Sequence, residues 1–407
     1  AIWRCTEASP SINRPADDLT SYSEFMEAAL PGPENKQGRD QHWRRFTDPG
    51  EPGESMRPFL DQFLAALQLP EDIAGAESAK KVGLQGKEVF IIPAFFELLL
   101  HLKRTGTSFC LVFRTFGQDL EGVAVEFNAF CEGRHPLFPG AVFDGRDGAV
   151  DYRVSLDDPS RFGTFFRCSL DGNDDALVYG TLLQPKLKDG LDFYRDSSKF
   201  SRCEIVSGGV GAIHNSLRRR TGMPGTLALR DYFPFWRSEG MGRDAQKMNG
   251  GKLMVMDMCT PMSVHNIFFD DNIHYDCTCI VDVRYAQLPT NLISVEHALA
   301  CHVVKAEPLE SVTDPGYFIR HVQRLRDAYE RKRSVLVRMR TLLREAITAD
   351  SLPDIRDMPC AAGDEDYDAW RETRRNMRMA SKSAPLFEEP APDDLMSPPI
   401  KHCSPWA

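Results

Sequence analysis

The stretch from Pro93 to Phe130 constrains the fold more than any other part of the chain. Pro93 is followed by Ala94-Phe-Phe-Glu-Leu-Leu-Leu-His-Leu-Lys-Arg104, a run of good helix formers, and Thr105-Gly106 supplies the stop. Proline suits the first helical turn because its missing N–H would have no partner there, and glycine ends a helix by taking the left-handed conformation. Ser108-Phe-Cys-Leu-Val-Phe-Arg114 comes next, apolar without alternation. That is the pattern of a strand covered on both faces, as in a parallel sheet. A break at Thr115-Phe116-Gly117 leads into a second helical stretch, Leu120 to Phe130. Helix, strand, turn and helix in this order predict an α/β protein with a Rossmann-like three-layer core around a mainly parallel sheet.

The remaining chain organises around that block. Residues 1–85 are rich in Pro, Gly, Asp and Glu, with helical stretches at Leu19–Leu30 and Met56–Leu67, and read as a partly helical, cap-like region. Residues 86–130 form the first part of the core. In 131–205 the β-prone runs Thr164–Cys168 and Ala176–Leu183 flank Asp171-Gly-Asn-Asp174, which predicts a hairpin within a cap insertion. The α/β alternation resumes over 206–310. A helix begins at Gly208-Gly-Val-Gly211, and strands are expected at Thr226–Leu229, Lys252–Met256, Val264–Phe269 and Cys279–Val283. Residues 311–350 hold a long charged helix, Tyr317 to Ile347, as a helical C-terminal extension, and 351–407 form an extended tail.

Composition excludes several function classes. A net charge of -10 argues against a whole-surface nucleic-acid binder. No apolar run nears the roughly 20 residues needed to span a bilayer. Eleven cysteines, odd in number and without a Cys-x-x-Cys pair, predict free thiols in a reducing intracellular compartment, cytoplasmic or an organelle matrix.

Three positions carry candidate chemistry. Phe268-Phe-Asp-Asp-Asn272 sets two carboxylates just past the carboxyl end of an apolar strand, where open α/β sheets hold ligands. Adjacent acids repel, so a hard cation such as Mg²⁺ gives one reason for the pair, and a polar turn with Asp270 capping a helix gives another. Thr115 ends the other strong strand and suits either a phosphate or the cap of the helix at Leu120. Lys252, after Gly250-Gly251, suits a bound phosphate or a solvated surface. Among other groupings, His265, Asp270, Asp271 and His274 offer ligands for a transition metal. Tyr232-Phe-Pro-Phe-Trp236 reads as an aromatic packing cluster or the lining of a substrate pocket.

Taken in order, the helix–strand–Thr115 block, Lys252, and the strand ending at Asp270-Asp271 resemble the haloacid dehalogenase superfamily of phosphohydrolases and phosphotransferases. The likeness covers Val89–Phe130 and about Thr226–Arg284. An uncharacterised protist branch of that superfamily carries similar Arg-Thr-Phe-Gly and Phe-Phe-Asp-Asp-Asn-Ile segments. The resemblance implies a Mg²⁺-dependent phosphoric monoester hydrolase acting on a small phosphorylated substrate or phosphoprotein. It implies that Thr115 bonds the phosphoryl oxygens, that Lys252 stabilises the nucleophile and the developing charge, and that Asp270 or Asp271 carries the metal. It also implies a nucleophilic first motif, Asp-x-Asp, at the end of a first strand. Asp17-Asp18 has no strand before it, Asp144-Gly-Arg-Asp147 comes out of order, and Asp171-Gly-Asn-Asp174 falls in the hairpin turn. The expectation is therefore that the first strand lies upstream of Ala1. The alternative is a non-catalytic binding or scaffold subunit that keeps the fold and docks a protein partner.

Overall fold

The computed structural model describes residues 3–10, 19–84, 86, 88–195, 198–240, 250–256, 264–273, 280–286 and 288–331. The chain divides into two compact units, residues 1–14 with 20–361 and residues 15–19 with 362–407. Of the second, Leu19 alone is among the described residues.

The N-terminal part is helical: α1 (Tyr22–Ala29), α2 (Lys36–Arg45), α3 (Arg57–Leu67) and α4 (Glu77–Lys81). Ser21 and Glu24 form a capping box that starts α1, each side chain bonding the other's backbone N–H. Leu69, Ala79, Val82 and Leu84 then pack with Ala129 of the next helical block.

The central block follows the sequence reading closely. It comprises α5 (Pro93–Arg104), β1 (Cys110–Thr115) and α6 (Leu120–Cys131). Phe96, Leu98 and Leu99 of α5 are buried, and Phe96 stacks on Phe130 of α6 with ring centres 4.3 Å apart. Gly106 takes φ +66°, the left-handed conformation that lets the chain leave α5.

Next come β2 (Phe162–Phe166), β3 (Ala176–Tyr179), α7 (Asp192–Arg195), β4 (Glu204–Val206), α8 (Gly209–Thr221) and β5 (Gly225–Asp231). These four strands form one five-stranded sheet with β1, in the order β1-β5-β2-β3-β4. The β1/β5 and β5/β2 pairs are parallel, and β2/β3 and β3/β4 antiparallel. The expected hairpin forms, but it is built into the sheet and does not stand apart as a cap. Phe165, Phe166, Leu177, Val178 and Tyr179 are all buried, so both faces of the hairpin are covered. An isolated two-stranded lid would leave one face to water.

The last part holds α9 (Phe233–Ser238), β6 (Lys252–Met256), β7 (Phe268–Asp270), β8 (Val281–Tyr285), β9 (Leu288–Leu292), α10 (Val295–Cys301), β10 (Val303–Lys305) and α11 (Pro308–Thr313). Residues 317–331 continue as a helix, α12, while residues 332–347 of the expected long helix lie outside the described residues. The strands make a three-stranded sheet, β6-β8-β9, and a parallel pair, β10-β7. Parallel pairings outnumber antiparallel ones among the described residues, so the class is α/β with a mixed, mostly parallel set of strands.

Two buried ionic groups tie these pieces together. Arg114 of β1 holds Asp231 of β5 through two of its nitrogens and donates to the carbonyl of Leu253 in β6. Arg167, just past β2, donates to Asp175 at 2.9 Å and to Asp282 of β8 at 2.6 Å. Arg284 donates to the same Asp282 at 2.8 Å and 2.6 Å. Arg167, Asp175, Asp282 and Arg284 are each at most 2 % exposed, a neutral quartet joining the five-stranded sheet to the three-stranded one. Burial alone would raise the pKa of Asp282, yet the two guanidiniums hold it below the ordinary carboxylate value.

Candidate functional site

Lys252 and Asp270 come together although 18 residues separate them. Lys252 opens β6 and Asp270 closes β7, and the lysine Nζ lies 2.7 Å from Asp270 Oδ2. Both residues are at most 9 % exposed. A carboxylate and an ammonium buried this far are tolerated only because each supplies the other's charge. The second oxygen of Asp270 accepts the backbone N–H of Asn272 at 2.9 Å, so the carboxylate stops the strand and turns the chain. It caps a turn, and no helix follows it among the described residues.

Asp271, next in the chain, reaches the surface and accepts from the Asn272 side-chain amide at 2.9 Å. Its surroundings at the strand end are still crowded, and that desolvation, with Asp270 beside it, pushes its pKa up. Two neighbouring carboxylates of this kind fit a hard cation, which takes one or two such ligands and completes its shell with water and phosphate oxygens. No group of three or more His, Cys, Asp or Glu arranged as metal ligands exists among the described residues. Any ion here would thus lean on solvent or on a bound anion.

Thr115 stands at the carboxyl end of β1. Its hydroxyl donates to Asp119 Oδ1 and accepts from the Gly117 N–H, both at 2.8 Å. It therefore stabilises the turn rather than capping α6, whose N-cap is Asp119. The next residue, Phe116, brings the strand end to the lysine, whose Nζ is 5.3 Å from the Phe116 ring centre and 5.9 Å from that of Phe268.

β1 and β7 do not pair, but their side chains meet each other or common neighbours. On one face the Arg114 guanidinium lies 5.7 Å from the Phe268 ring. On the other, Phe95 of α5 touches Phe113 and Phe318, and Phe318 touches Phe269 at 5.2 Å. Neighbouring residues of a strand point to opposite faces, so Phe113 and Arg114 leave β1 on opposite sides, as Phe268 and Phe269 leave β7. β1 bonds β5 along one edge and β7 bonds β10 along one edge. No described strand pairs with the other edge of either.

The histidine-containing metal set does not assemble among the described residues. His265 precedes β7 instead of lying in it, bonds the Cys301 carbonyl and stacks on Tyr329 at 4.2 Å. These contacts hold its ring to α10 and α12. His274, Cys277 and Cys279 lie outside the described residues.

Sequence reasoning missed the buried arginines. The available signal was a charge inside an apolar strand, as with Arg114 in Cys110–Thr115 and Asp282 in Val281–Tyr285. Such a charge needs a buried counter-ion, though the sequence does not say which. No family model, no curated protein and no solved structure matches this chain.

Proposed function

We propose that this chain carries the phosphate-binding part of a Mg²⁺-dependent phosphohydrolase of the haloacid dehalogenase kind, acting on a small phosphorylated compound. The observation that supports this most is the Lys252–Asp270 contact of 2.7 Å at the carboxyl end of β7, next to the turn that begins at Thr115. The Thr115 hydroxyl and the N–H groups of its turn would hold phosphoryl oxygens. Lys252 would shift part of its charge from Asp270 to the transferred group as negative charge builds there. Asp270 and Asp271 would hold Mg²⁺, which when bound polarises the phosphoryl oxygens.

Covalent turnover also needs a carboxylate nucleophile. Its oxygen attacks phosphorus, the ester P–O bond breaks, the leaving oxygen takes a proton from an acid, and water then cleaves the acyl phosphate. Among the described residues no strand pairs with the second edge of β1 or of β7, and a parallel strand between them would deliver such an aspartate beside Thr115 and Lys252. The finer Rossmann-like reading of the core belongs to the same proposal, since such a strand would join β10-β7 to β1-β5 in one sheet. Cys5, Cys110, Cys131, Cys168 and Cys203 are free thiols, in keeping with a reducing compartment. No described helix is long and apolar enough to cross a membrane.

The test uses the natural protein, including any residues before Ala1, and an aryl phosphate with and without Mg²⁺. Hydrolysis should need the metal and vanish in Asp270→Asn with Asp271→Asn. It should fall at least about a hundredfold in Lys252→Met, in line with loss of one charge-stabilising group. Turnover that survives these changes sinks the proposal. A second reading, binding without turnover, draws on the same pair, because Lys252 and Asp270 already neutralise each other. It predicts Lys252-dependent phosphate-ester binding with no hydrolysis.

A further inference from the structure

The aromatic stretch at Tyr232–Trp236 divides into two functions once folded. Tyr232 and Phe235 enter the core at 1 % and 7 % exposure, as a packing cluster should. Phe233 and Trp236 are only partly buried and turn towards the end of β1, where Trp236 also packs against the core beneath β6 and β8. Trp236 stacks on Phe116 with ring centres 4.7 Å apart and planes 8° from parallel. Phe233 meets Phe116 edge-on at 5.9 Å and Trp236 at 6.1 Å. This tier of three rings adjoins the Lys252–Asp270 pair, because the lysine Nζ is 5.3 Å from the Phe116 ring centre. The indole N–H of Trp236 is buried and finds no acceptor among the described residues. A buried donor left so is destabilising, and a ligand that supplies an acceptor removes that cost.

We propose that this tier is the leaving-group side of the site, and that the phosphate ester it takes carries a flat aromatic ring. The inference rests on the phosphate-site reading above and adds the substrate class to it. An aliphatic ester would leave the exposed parts of the three rings facing water. An aryl or heteroaryl ester covers them, gains edge-to-face or offset stacking, and places an acceptor on its rim within reach of the Trp236 N–H. The phosphate end meanwhile stays at Lys252.

Two esters with the same phosphate charge separate the contributions. Phenyl phosphate and glycerol phosphate are each titrated calorimetrically onto the natural full-length protein without Mg²⁺, so that neither ester is turned over. The ring ester should bind at least tenfold tighter, and that ratio should fall towards one in Trp236→Leu and in Phe233→Leu. Trp236→Phe should keep most of the ratio, which shows that the leucine variants fail for want of a ring and not for want of a fold. Equal affinities for the two esters in the unaltered protein, with both lost in Lys252→Met, refute the aromatic subsite and leave the phosphate site standing. A ratio that survives Trp236→Leu combined with Phe233→Leu refutes it as well. If neither ester binds, the phosphate-site reading fails and the subsite with it.

Discussion

Replacing Asp282 by asparagine should be among the most damaging single changes in this protein. The substitution keeps the volume but removes the charge that both Arg167 and Arg284 address, at 2.6 Å to 2.8 Å, in surroundings at most 2 % exposed. Asp175 still balances Arg167, while Arg284 loses the carboxylate that takes two of its hydrogen bonds in a buried site. Attraction between unit charges about 4 Å apart is worth about 4 kcal/mol at the effective dielectric that suits protein sites. Breaking a buried pair by removing one partner costs about 3–5 kcal/mol in practice. At roughly 2 °C per kcal/mol, fitting for a unit of this size, the melting temperature should fall by roughly 6–10 °C. Thermal unfolding followed by circular dichroism measures the change. Asp282→Asn combined with Arg284→Gln restores neutrality and should recover at least half of the loss. A single variant within about 1 kcal/mol of the unaltered protein, or a double variant whose loss equals the sum of the two singles, would refute the argument that charge imbalance is the cause.

Two further predictions concern the scaffold. His321 on α12 packs on Tyr317, and burial, aided by the charges of Arg324 and Arg320, lowers its pKa from 6.5 to about 4. The unfolded chain therefore takes up this proton first. Its contribution to stability is complete above about pH 6.5 and is lost as pH falls towards about 4, so urea midpoints should decline across that window and decline less in His321→Gln. Gly209 begins α8 at φ +69°, where an added Cβ would stand 2.7 Å from the Asn173 carbonyl oxygen. Gly209→Ala should thus cost more than about 1–2 kcal/mol, the left-handed penalty alone, in equilibrium unfolding, whereas the open Gly211 should tolerate alanine.

What the sequence made legible, and what it did not, divides along a physical line. Pro93, Gly106 and unbroken apolar runs specify α5, β1 and α6 because those signals act within a few residues. The hairpin was readable because Asp171-Gly-Asn-Asp174 forces a reversal. Its place in the sheet was not, because β2 pairs with β5, whose residues lie some sixty positions further on, and nothing local encodes that register. Only the first half of β8 was anticipated: the strand runs Val281–Tyr285, and the charged Asp282 and Arg284 that break its apolar pattern are the residues whose burial is compensated from afar. At the candidate site, the order Thr115, Lys252, Asp270 suggested proximity, and the 2.7 Å contact between the last two bears on that order. The partners of Arg114 and Arg167 are beyond any spacing rule, since buried counter-ions are chosen by the folded surface.

The quartet also bears on when the fold can be completed. Arg167 leaves the ribosome 115 residues ahead of Asp282. Through that interval the hairpin can form, and Asp175 can meet Arg167, but the cap over the pair is missing and water must continue to solvate the second half of the guanidinium. The first sheet is therefore held short of full desolvation until β8 arrives and closes it. Synthesis from one end to the other sets a sequence of events in which the last strands act as the lock, and a nascent chain stopped before residue 282 stays loose at its centre however much of its helical surface has formed.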